Sequence, residues 1–296
     1  MIASPNTDII AGYRPLPQLV PAGWQQDTLT MRDGARVHYT RTGGSKPAVV
    51  LLHGIQGAGL MWLRVARVLE ADYDVVMPDF RAHGQSSRCA EHGFAVDLLV
   101  QDMIELIGAL ELGTPLVIGH SMGADIAGRL VAVHPLRGVA LVDPALQSFA
   151  PPMGDDGMPP WMEAIFQTMR ALKDLPHEER LTAAQRLLPP GTPLWDEADY
   201  VSFVEAQAQF DLEAYRYAMT MPYLFAEPET IRRIECPALL LTARPMMPGM
   251  DIAPGVAAFM DHLRAGRHLH FEDSGHFIMY DQFEKFISAV EAFARG

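Results

Sequence analysis

The chain has 296 residues, 49% of them hydrophobic and 20% charged, which is enough for one large α/β domain with an insertion. A formal net charge of −13 disfavours nucleic acid and anionic membranes as partners. The two cysteines, Cys89 and Cys236, lack the spacing of a disulfide framework or a zinc site. No signal peptide is evident, and no apolar run approaches the ~20 residues that span a bilayer, so we expect a cytoplasmic protein.

The first half of the chain predicts a hairpin followed by alternating strands and helices. Residues 1–24 are rich in proline and predict an irregular N-terminal arm. Two β-rich runs, Gln25–Met31 and Ala35–Thr42, flank an Asp-Gly pair typical of a hairpin. The next predicted elements are strand Pro47–Leu52, helix Leu60–Ala71, strand Tyr73–Met77, helix Val96–Leu110, strand Pro115–Ile118, helix 122–133 and strand Arg137–Val142. This alternation indicates a mostly parallel sheet with helices on both faces.

The alternation of strands and helices stops after the sixth strand. Residues 145–235 open with a Pro- and Gly-rich stretch, and helical segments then follow at about 160–173, 177–188, 196–208, 211–220 and 228–234. We interpret 145–235 as an all-helical cap, part of whose Met and aromatic side chains line an apolar pocket. The earlier rhythm resumes with strand Pro237–Thr242, helix Pro254–Arg264, strand Arg267–Phe271 and helix Gln282–Arg295. The predicted core therefore comprises 25–144 and 236–296, with an eight-stranded sheet.

One short stretch, Gly119-His120-Ser121-Met122-Gly123, stands between a predicted strand and a predicted helix. Such a sharp reversal forces its central residue into a strained backbone conformation, and the flanking glycines remove the Cβ atoms that would clash. The pattern therefore predicts a serine hydroxyl exposed at the tip of a turn, above the carboxyl ends of the sheet.

A neutral serine needs a general base, and the chain offers 11 histidines. His276 follows a strand end, precedes the last helix and returns to the crevice above the strand ends, which favours it as the base. His120 is confined within the turn and is expected to point elsewhere. His53, at the start of a glycine-rich loop, favours a structural role.

Two positions are open for the acid that orients the base. Asp143 emerges directly from a strand end, which positions a carboxylate rigidly. Asp251 lies several residues past its strand and just before a helix, where a carboxylate commonly serves as a cap. The sequence favours Asp143 and leaves Asp251 open.

The oxyanion of a tetrahedral intermediate requires backbone N–H donors. The residue after the serine, Met122, is predicted to supply one donor. Ile55, in the loop His53–Gly57, is predicted to supply the other. The side chain of Gln56 is a candidate substrate contact, with simple solvent exposure as the alternative.

Over nearly its whole length the sequence resembles the α/β-hydrolase superfamily. The residues that carry the resemblance are His53-Gly54, Asp79–Ser86, Gly119–Gly123 and Gly275-His276. Within the superfamily the chain looks like the capped, single-chain hydrolases grouped with esterases, lactonases, C–C bond hydrolases and cofactor-free haloperoxidases.

The sequence departs from the family pattern in one place. Typical members carry Gly-x-x-Asp after the strand before the last, where this chain reads Ala243-Arg244-Pro245-Met246. Some members place the acid after the preceding strand, where Asp143 stands. The resemblance therefore supports Asp143, with Asp251 as a shifted form of the usual site.

Together these features predict a serine hydrolase that cleaves a carboxylic ester or lactone with an apolar body through an acyl-enzyme on Ser121. The alternatives are a C–C bond or amide hydrolase with the same residues, and a non-catalytic ligand-binding member of the fold. No metal or organic cofactor is implied. The expected partner is a small-molecule substrate, and the oligomeric state stays open.

Overall fold

The computed structural model describes residues 9–10, 12–146, 160–188, 192–218, 221–245 and 251–296, and an eight-stranded sheet organises them. The strands are β1 Gln25–Thr30, β2 Arg36–Arg41, β3 Ala48–Leu52, β4 Asp74–Pro78, β5 Leu116–His120, β6 Gly138–Val142, β7 Ala238–Ala243 and β8 Gly266–Phe271. Their spatial order is β1-β2-β4-β3-β5-β6-β7-β8.

The strands β4-β3-β5-β6-β7-β8 pair parallel, and only β2 runs the opposite way, since it pairs antiparallel with both β1 and β4. Strands β3 to β7 are buried along their whole length, as expected for strands covered on both faces. The predicted fold class, a mostly parallel eight-stranded sheet flanked by helices, is confirmed.

Thirteen α-helices lie in the described part of the chain beyond residue 12. They are α1 Leu16–Leu19, α2 Leu63–Leu69, α3 Cys89–His92, α4 Val96–Ala109, α5 Met122–Val131, α6 Pro160–Leu172, α7 His177–Ala184, α8 Glu197–Gln209, α9 Ala214–Ala218, α10 Pro228–Arg232, α11 Ala253–His262, α12 Ile278–Asp281 and α13 Phe283–Ala294. The predicted irregular arm thus contains one helical turn, α1. No described helix combines the length and apolar character needed to cross a bilayer.

Two apolar layers cover the sheet, and alternate residues of each strand feed them. In β3, Val49 and Leu51 face one layer, whereas Val50 and Leu52 face the other. Helices α2 and α13 pack on the first face, and α4 and α5 pack on the second. Because successive side chains of a strand point to opposite faces, this alternation decides which residues of each strand enter each apolar layer.

Helices α6 to α10 lie between β6 and β7, and we call this stretch the helical insertion. Its helix α8 packs against the short 3₁₀ turn Gly59–Trp62 and against α2, and Arg64 pairs with the buried Asp199 at 3.0 Å. The predicted division into arm, core and cap stays a prediction. Residues 1–8 of the arm, and 147–159, 189–191 and 219–220 of the cap, lie outside the described residues.

Candidate active site

The predicted sharp turn joins β5 to α5, with Ser121 between them at φ 53° and ψ −120°. A residue with a side chain rarely adopts this region. A Cβ on Gly119 would lie 2.1 Å from the Gly123 carbonyl oxygen, and a Cβ on Gly123 would lie 2.4 Å from the Leu52 carbonyl oxygen. Only glycine therefore permits the turn to pack against the end of β3.

The backbone of Ser121 is fixed to the neighbouring strand. Its N–H donates to the carbonyl oxygen of Val142 at 2.8 Å, which continues the ladder between β5 and β6. The residue is half-buried, and its hydroxyl makes no hydrogen bond to a described residue. In enzymes without bound substrate, the hydrogen bonds of a catalytic hydroxyl are often long or poorly aligned, and they tighten when substrate binds.

The structure brings His276 and Asp143 together. The His276 Nδ1 atom and the Asp143 Oδ2 atom lie 2.7 Å apart. The Asp143 Oδ1 atom accepts the Ala243 N–H at 2.9 Å, so the carboxylate is held from two sides. In the neutral imidazole, this contact places the ring proton on Nδ1, where it faces the carboxylate, and leaves the lone pair on Nε2.

The backbone of Asp143 is also strained, with φ 47°, and its N–H donates to Leu241 at 2.7 Å. Asp251, the other candidate acid, is exposed, and its Oδ1 atom accepts the Ala253 N–H at 3.0 Å at the start of α11. The geometry thus pairs Asp143 with His276, whereas Asp251 caps a helix. Met246, in the position of the family's usual acid, lies outside the described residues.

His120 is tied to the His276 loop, which the sequence did not suggest. Its Nε2–H donates to the His276 carbonyl oxygen at 2.8 Å, and the two rings lie 4.5 Å apart. Burial, followed by the nearby His276, lowers the pKa of His120 well below its usual value, so the ring is neutral. His120 therefore links the turn that carries Ser121 to the loop that carries His276.

The glycine-rich loop after β3 lies directly against Ser121. A Cβ on Gly54 would lie 3.0 Å from the Ser121 Cβ. His53 braces this loop: its Nδ1–H donates to the Gly54 carbonyl oxygen at 2.7 Å, and its Nε2 accepts the Phe80 N–H at 3.0 Å. Burial lowers the pKa of His53, which keeps the Nε2 acceptor free of a proton. The predicted structural role of His53 agrees with these contacts.

Of the two predicted oxyanion donors, Met122 directly follows Ser121, and Ile55 lies in the loop whose Gly54 is adjacent to the Ser121 side chain. Met122 is the first residue of α5, where an N–H has no partner within the helix. Neither the Ile55 N–H nor the Met122 N–H donates to a described residue. Both N–H groups therefore remain available for an acceptor beside Ser121.

Gln56 has a left-handed backbone, with φ 63°, and its two peptide groups are held by side chains. Its N–H donates to His83 Nε2 at 3.2 Å, and its carbonyl oxygen accepts Gln207 Nε2–H at 3.1 Å. His83 in turn donates Nδ1–H to the Arg81 carbonyl oxygen at 2.9 Å. Burial holds the pKa of His83 well below its usual value, so the acceptor persists. The Gln56 side chain makes no hydrogen bond to a described residue, and its substrate contact stays a prediction.

The turn after β4 is organised by Asp79, which lies behind the glycine-rich loop. Its carboxylate accepts the Gly59 N–H at 2.7 Å and the Gln85 N–H at 2.9 Å, and it contacts His38 Nδ1 at 3.0 Å. Burial by itself would raise the pKa of Asp79, but the bonds from His38 and the two amides outweigh it and lower the pKa. The turn Asp79–Ser86 thus stabilises the glycine-rich loop that lies beside Ser121.

Asp281 holds the loop that carries His276. Its Oδ2 atom accepts the Gly275 N–H at 2.7 Å, and its Oδ1 atom accepts the Trp195 indole N–H at 2.8 Å. Sequence reasoning missed Asp281, His83 and Gln207 because their partners are backbone groups or residues distant in the chain. The position of Asp281, five residues after His276, was the one local signal available.

No group of three or more His, Cys, Asp or Glu side chains in the described ranges could hold a metal ion. The titratable groups described near Ser121 are the histidines and carboxylates above, together with Asp125, one turn further along α5. Burial raises the pKa of Asp125 to about 7, against the lowering effects of Arg129 and the Leu224 N–H.

Comparison with known proteins gives matches to a family model, to a curated relative and to solved structures. The family model described as "alpha/beta hydrolase fold" matches residues 47–283. N-formylmaleamate deformylase from Pseudomonas putida is 35% identical over 114 residues, which cover 38% of this chain and 42% of the deformylase. The match to this curated relative therefore spans less than half of its length.

Two solved structures resemble the whole chain more fully. The N-formylmaleamic acid deformylase of Pseudomonas putida S16 has a TM-score of 0.71 and 21% identity, covering 90% of this chain and all 100% of that one. The enol-lactonase of Burkholderia xenovorans LB400 has a TM-score of 0.61 and 22% identity, with coverage of 91% and 100%. At these identities the likeness is one of fold.

Proposed function

Because the chain belongs to the α/β-hydrolase fold family, we propose that it is a serine hydrolase that cleaves a carboxylic ester or lactone with an apolar body. The observation that carries the proposal is the 2.7 Å contact between His276 Nδ1 and Asp143, which in the neutral imidazole leaves Nε2 as the proton acceptor. A strained serine on the neighbouring turn and two available N–H groups complete the set of parts that acyl transfer requires.

In the proposed reaction, Ser121 Oγ attacks the substrate carbonyl carbon while His276 Nε2 takes the hydroxyl proton. Asp143 keeps the ring in the required tautomer and stabilises the imidazolium that forms. The Ile55 and Met122 N–H groups donate to the oxyanion, and losing one such donor costs ~3 kcal/mol of barrier stabilisation.

The tetrahedral intermediate then collapses. The carbonyl re-forms, the bond to the leaving alkoxide breaks, and His276 returns its proton to that oxygen. A water molecule, deprotonated by His276, hydrolyses the acyl-enzyme in the same way and releases the acid. For a lactone both products remain one molecule.

The apolar character of the surroundings supports an apolar substrate body. Ile55 follows Gly54, which lies against Ser121, and Met122 directly follows Ser121, while Tyr215 and Met221 belong to the helical insertion. All four are only partly buried members of one apolar cluster. The fold similarity to an enol-lactonase also supports hydrolysis at a carbonyl. The similarity to a deformylase favours an amide substrate as the second candidate.

A fluorophosphonate probe tests the enzyme proposal directly. We expect stoichiometric labelling of the wild type and none of Ser121→Ala, because only the activated hydroxyl attacks the probe. If the folded wild type is not labelled, the chain is a binding protein and the proposal is wrong.

A substrate panel tests the bond type. p-Nitrophenyl esters of increasing acyl length, a set of lactones and matched anilides would be hydrolysed in parallel. We expect kcat/KM to be highest for esters or lactones and to rise with acyl length, since added methylenes are removed from water. A preference for the anilides would favour the amide alternative.

A further inference from the structure

A single helix of the helical insertion contacts both loops that frame the proposed site. Helix α8 carries Gln207 near its end and follows directly on Trp195. Gln207 donates to the Gln56 carbonyl oxygen at 3.1 Å in the loop after β3. Trp195 donates to Asp281 at 2.8 Å beside the His276 loop. Trp195 lies two residues before the helix, and the helical stretch from Glu197 to Gln207 rises by about 15 Å.

On the oxyanion side, Gln207 supports a backbone that would otherwise relax. Gln56 holds φ 63°, a strained conformation for a residue with a side chain, which persists only where its surroundings impose it. His83 holds the peptide group before Gln56, and Gln207 holds the one after it. Gln207 is 3% exposed, so its hydrogen bond is shielded from water. The Ile55 N–H belongs to the preceding peptide group, whose Gly54 carbonyl oxygen accepts the Gly57 N–H at 3.0 Å, so the two Gln56 anchors support the segment directly after this donor.

On the base side, Trp195 supports the loop through the Asp281 carboxylate, which also accepts the Gly275 N–H at 2.7 Å. The indole packs edge-on against Phe277 at 5.2 Å and against Tyr280 at 4.9 Å, measured between ring centroids. Phe277 directly follows His276, so the Trp195 ring restrains the backbone that carries the base.

Helix α8 is itself anchored to α2, which packs on the first face of the sheet. Arg64, the second residue of α2, donates to the Asp199 carboxylate at 3.0 Å, and Asp199 is buried. Because of this anchor, the helix can keep the two loops at a fixed distance from each other.

We propose that Trp195 and Gln207 are positioning residues, through which α8 holds the oxyanion loop and the His276 loop in their catalytic arrangement. The inference rests on the proposed serine hydrolase function. It gives the helical insertion a part in stabilising the transition state, in addition to any contact with the substrate body.

The test compares Gln207→Leu and Trp195→Phe with a matched control, Tyr200→Phe. Tyr200 lies on the same helix, and its hydroxyl donates to the Leu181 carbonyl oxygen at 2.7 Å within the insertion. All three variants lose one side-chain hydrogen bond, which is buried for Tyr200 and part-buried for Gln207 and Trp195, but only the last two lose a bond that leads to a loop of the proposed site. The substrate is p-nitrophenyl acetate, whose short acyl group makes few contacts beyond the reacting centre.

We expect kcat to fall about tenfold in Gln207→Leu and in Trp195→Phe, with KM within about twofold of wild type, because misplaced donors and base act in the transition state. Affinity for a boronic acid, which forms a tetrahedral adduct on the serine, should fall in parallel for Gln207→Leu. Tyr200→Phe should keep the wild-type kcat and boronate affinity even where its melting temperature falls.

Two outcomes would overturn the inference. One is a wild-type kcat in both Gln207→Leu and Trp195→Phe. The other is an equal loss of kcat in Tyr200→Phe, which would indicate a general loss of stability. Absence of fluorophosphonate labelling in the wild type would instead refute the underlying hydrolase function, so the two failures are distinguishable.

Discussion

At the scale of single residues, backbone strain marks the ends of three neighbouring parallel strands. Gln56, Ser121 and Asp143 all have positive φ, and they follow β3, β5 and β6. Sheet hydrogen bonds impose the last two conformations, since the Ser121 and Asp143 N–H groups each donate to the next strand. Strain of this kind persists where the surroundings over-determine it and is common at active sites. The sheet itself therefore sets the relative positions of Ser121 and Asp143, the proposed nucleophile and acid.

The pairing of Asp143 with His276 leads to a prediction for the acid. Asp143→Asn keeps the shape of the side chain but removes the charge that stabilises the imidazolium, and it favours the wrong tautomer of His276. We expect kcat to fall by about 10³- to 10⁴-fold, as for a comparable change in a serine protease triad. Steady-state kinetics on the best ester of the panel measure the loss.

Asp251→Asn is the matched control for that prediction. It removes the same charge from a residue whose carboxylate caps α11 rather than meeting His276. We expect kcat to stay near the wild-type value. The reverse pattern, with Asp251→Asn inactive and Asp143→Asn active, would make Asp251 the acid.

At the scale of elements, the turn between β5 and α5 depends on close backbone approach. A Cβ on Gly119 would lie 2.1 Å from the Gly123 carbonyl oxygen and 2.7 Å from the Ala124 nitrogen, and backbone atoms cannot rotate away. We expect Gly119→Ala to abolish fluorophosphonate labelling and to lower the free energy of unfolding by several kcal/mol, about the scale of overpacked core sites. Urea unfolding and labelling measure the two effects.

Gly108 in α4 provides the comparison for that substitution. It is exposed, and a Cβ there would meet no atom within 4 Å. Gly108→Ala should therefore stabilise the protein by about 0.5–1 kcal/mol through helix propensity and leave labelling intact. Loss of labelling in Gly108→Ala, or full labelling in Gly119→Ala, would contradict the role assigned to the turn.

The elements themselves were largely predictable from the sequence. All eight strands were expected within two residues of their bounds, because continuous apolar runs and Gly- or Pro-rich turns are local signals. The short helices α3 and α12 were not expected, since one turn of helix leaves no periodic pattern. The links of Gln207 to Gln56, and of Trp195 to Asp281, span long stretches of chain and end on groups without sequence signals. Such contacts follow from packing of the insertion, which a single sequence does not specify.

At the scale of the whole molecule, stability should depend on pH through Asp125, on the helix that follows Ser121. Burial raises the pKa of Asp125 to about 7, while the opposite charge of Arg129 and the Leu224 N–H lower it and Glu227 raises it further. The folded chain thus keeps a proton on Asp125 up to about pH 7, whereas the unfolded chain releases it near pH 4. Between these values the unfolded state binds fewer protons, so the free energy of unfolding falls as pH rises.

Asp125→Asn removes that dependence while keeping an oxygen acceptor for the Leu224 N–H. We expect the free energy of unfolding of Asp125→Asn, minus that of wild type, to be larger at pH 8 than at pH 5 in urea titrations. Asp125 keeps partial exposure, so solvent screening makes the gain smaller than full burial would give. Asp261→Asn, an exposed site on α11, changes the net charge equally and should show the same difference at both pH values. An equal difference at pH 5 and pH 8 for Asp125→Asn would mean that its carboxylate is ionised in the folded protein at both pH values.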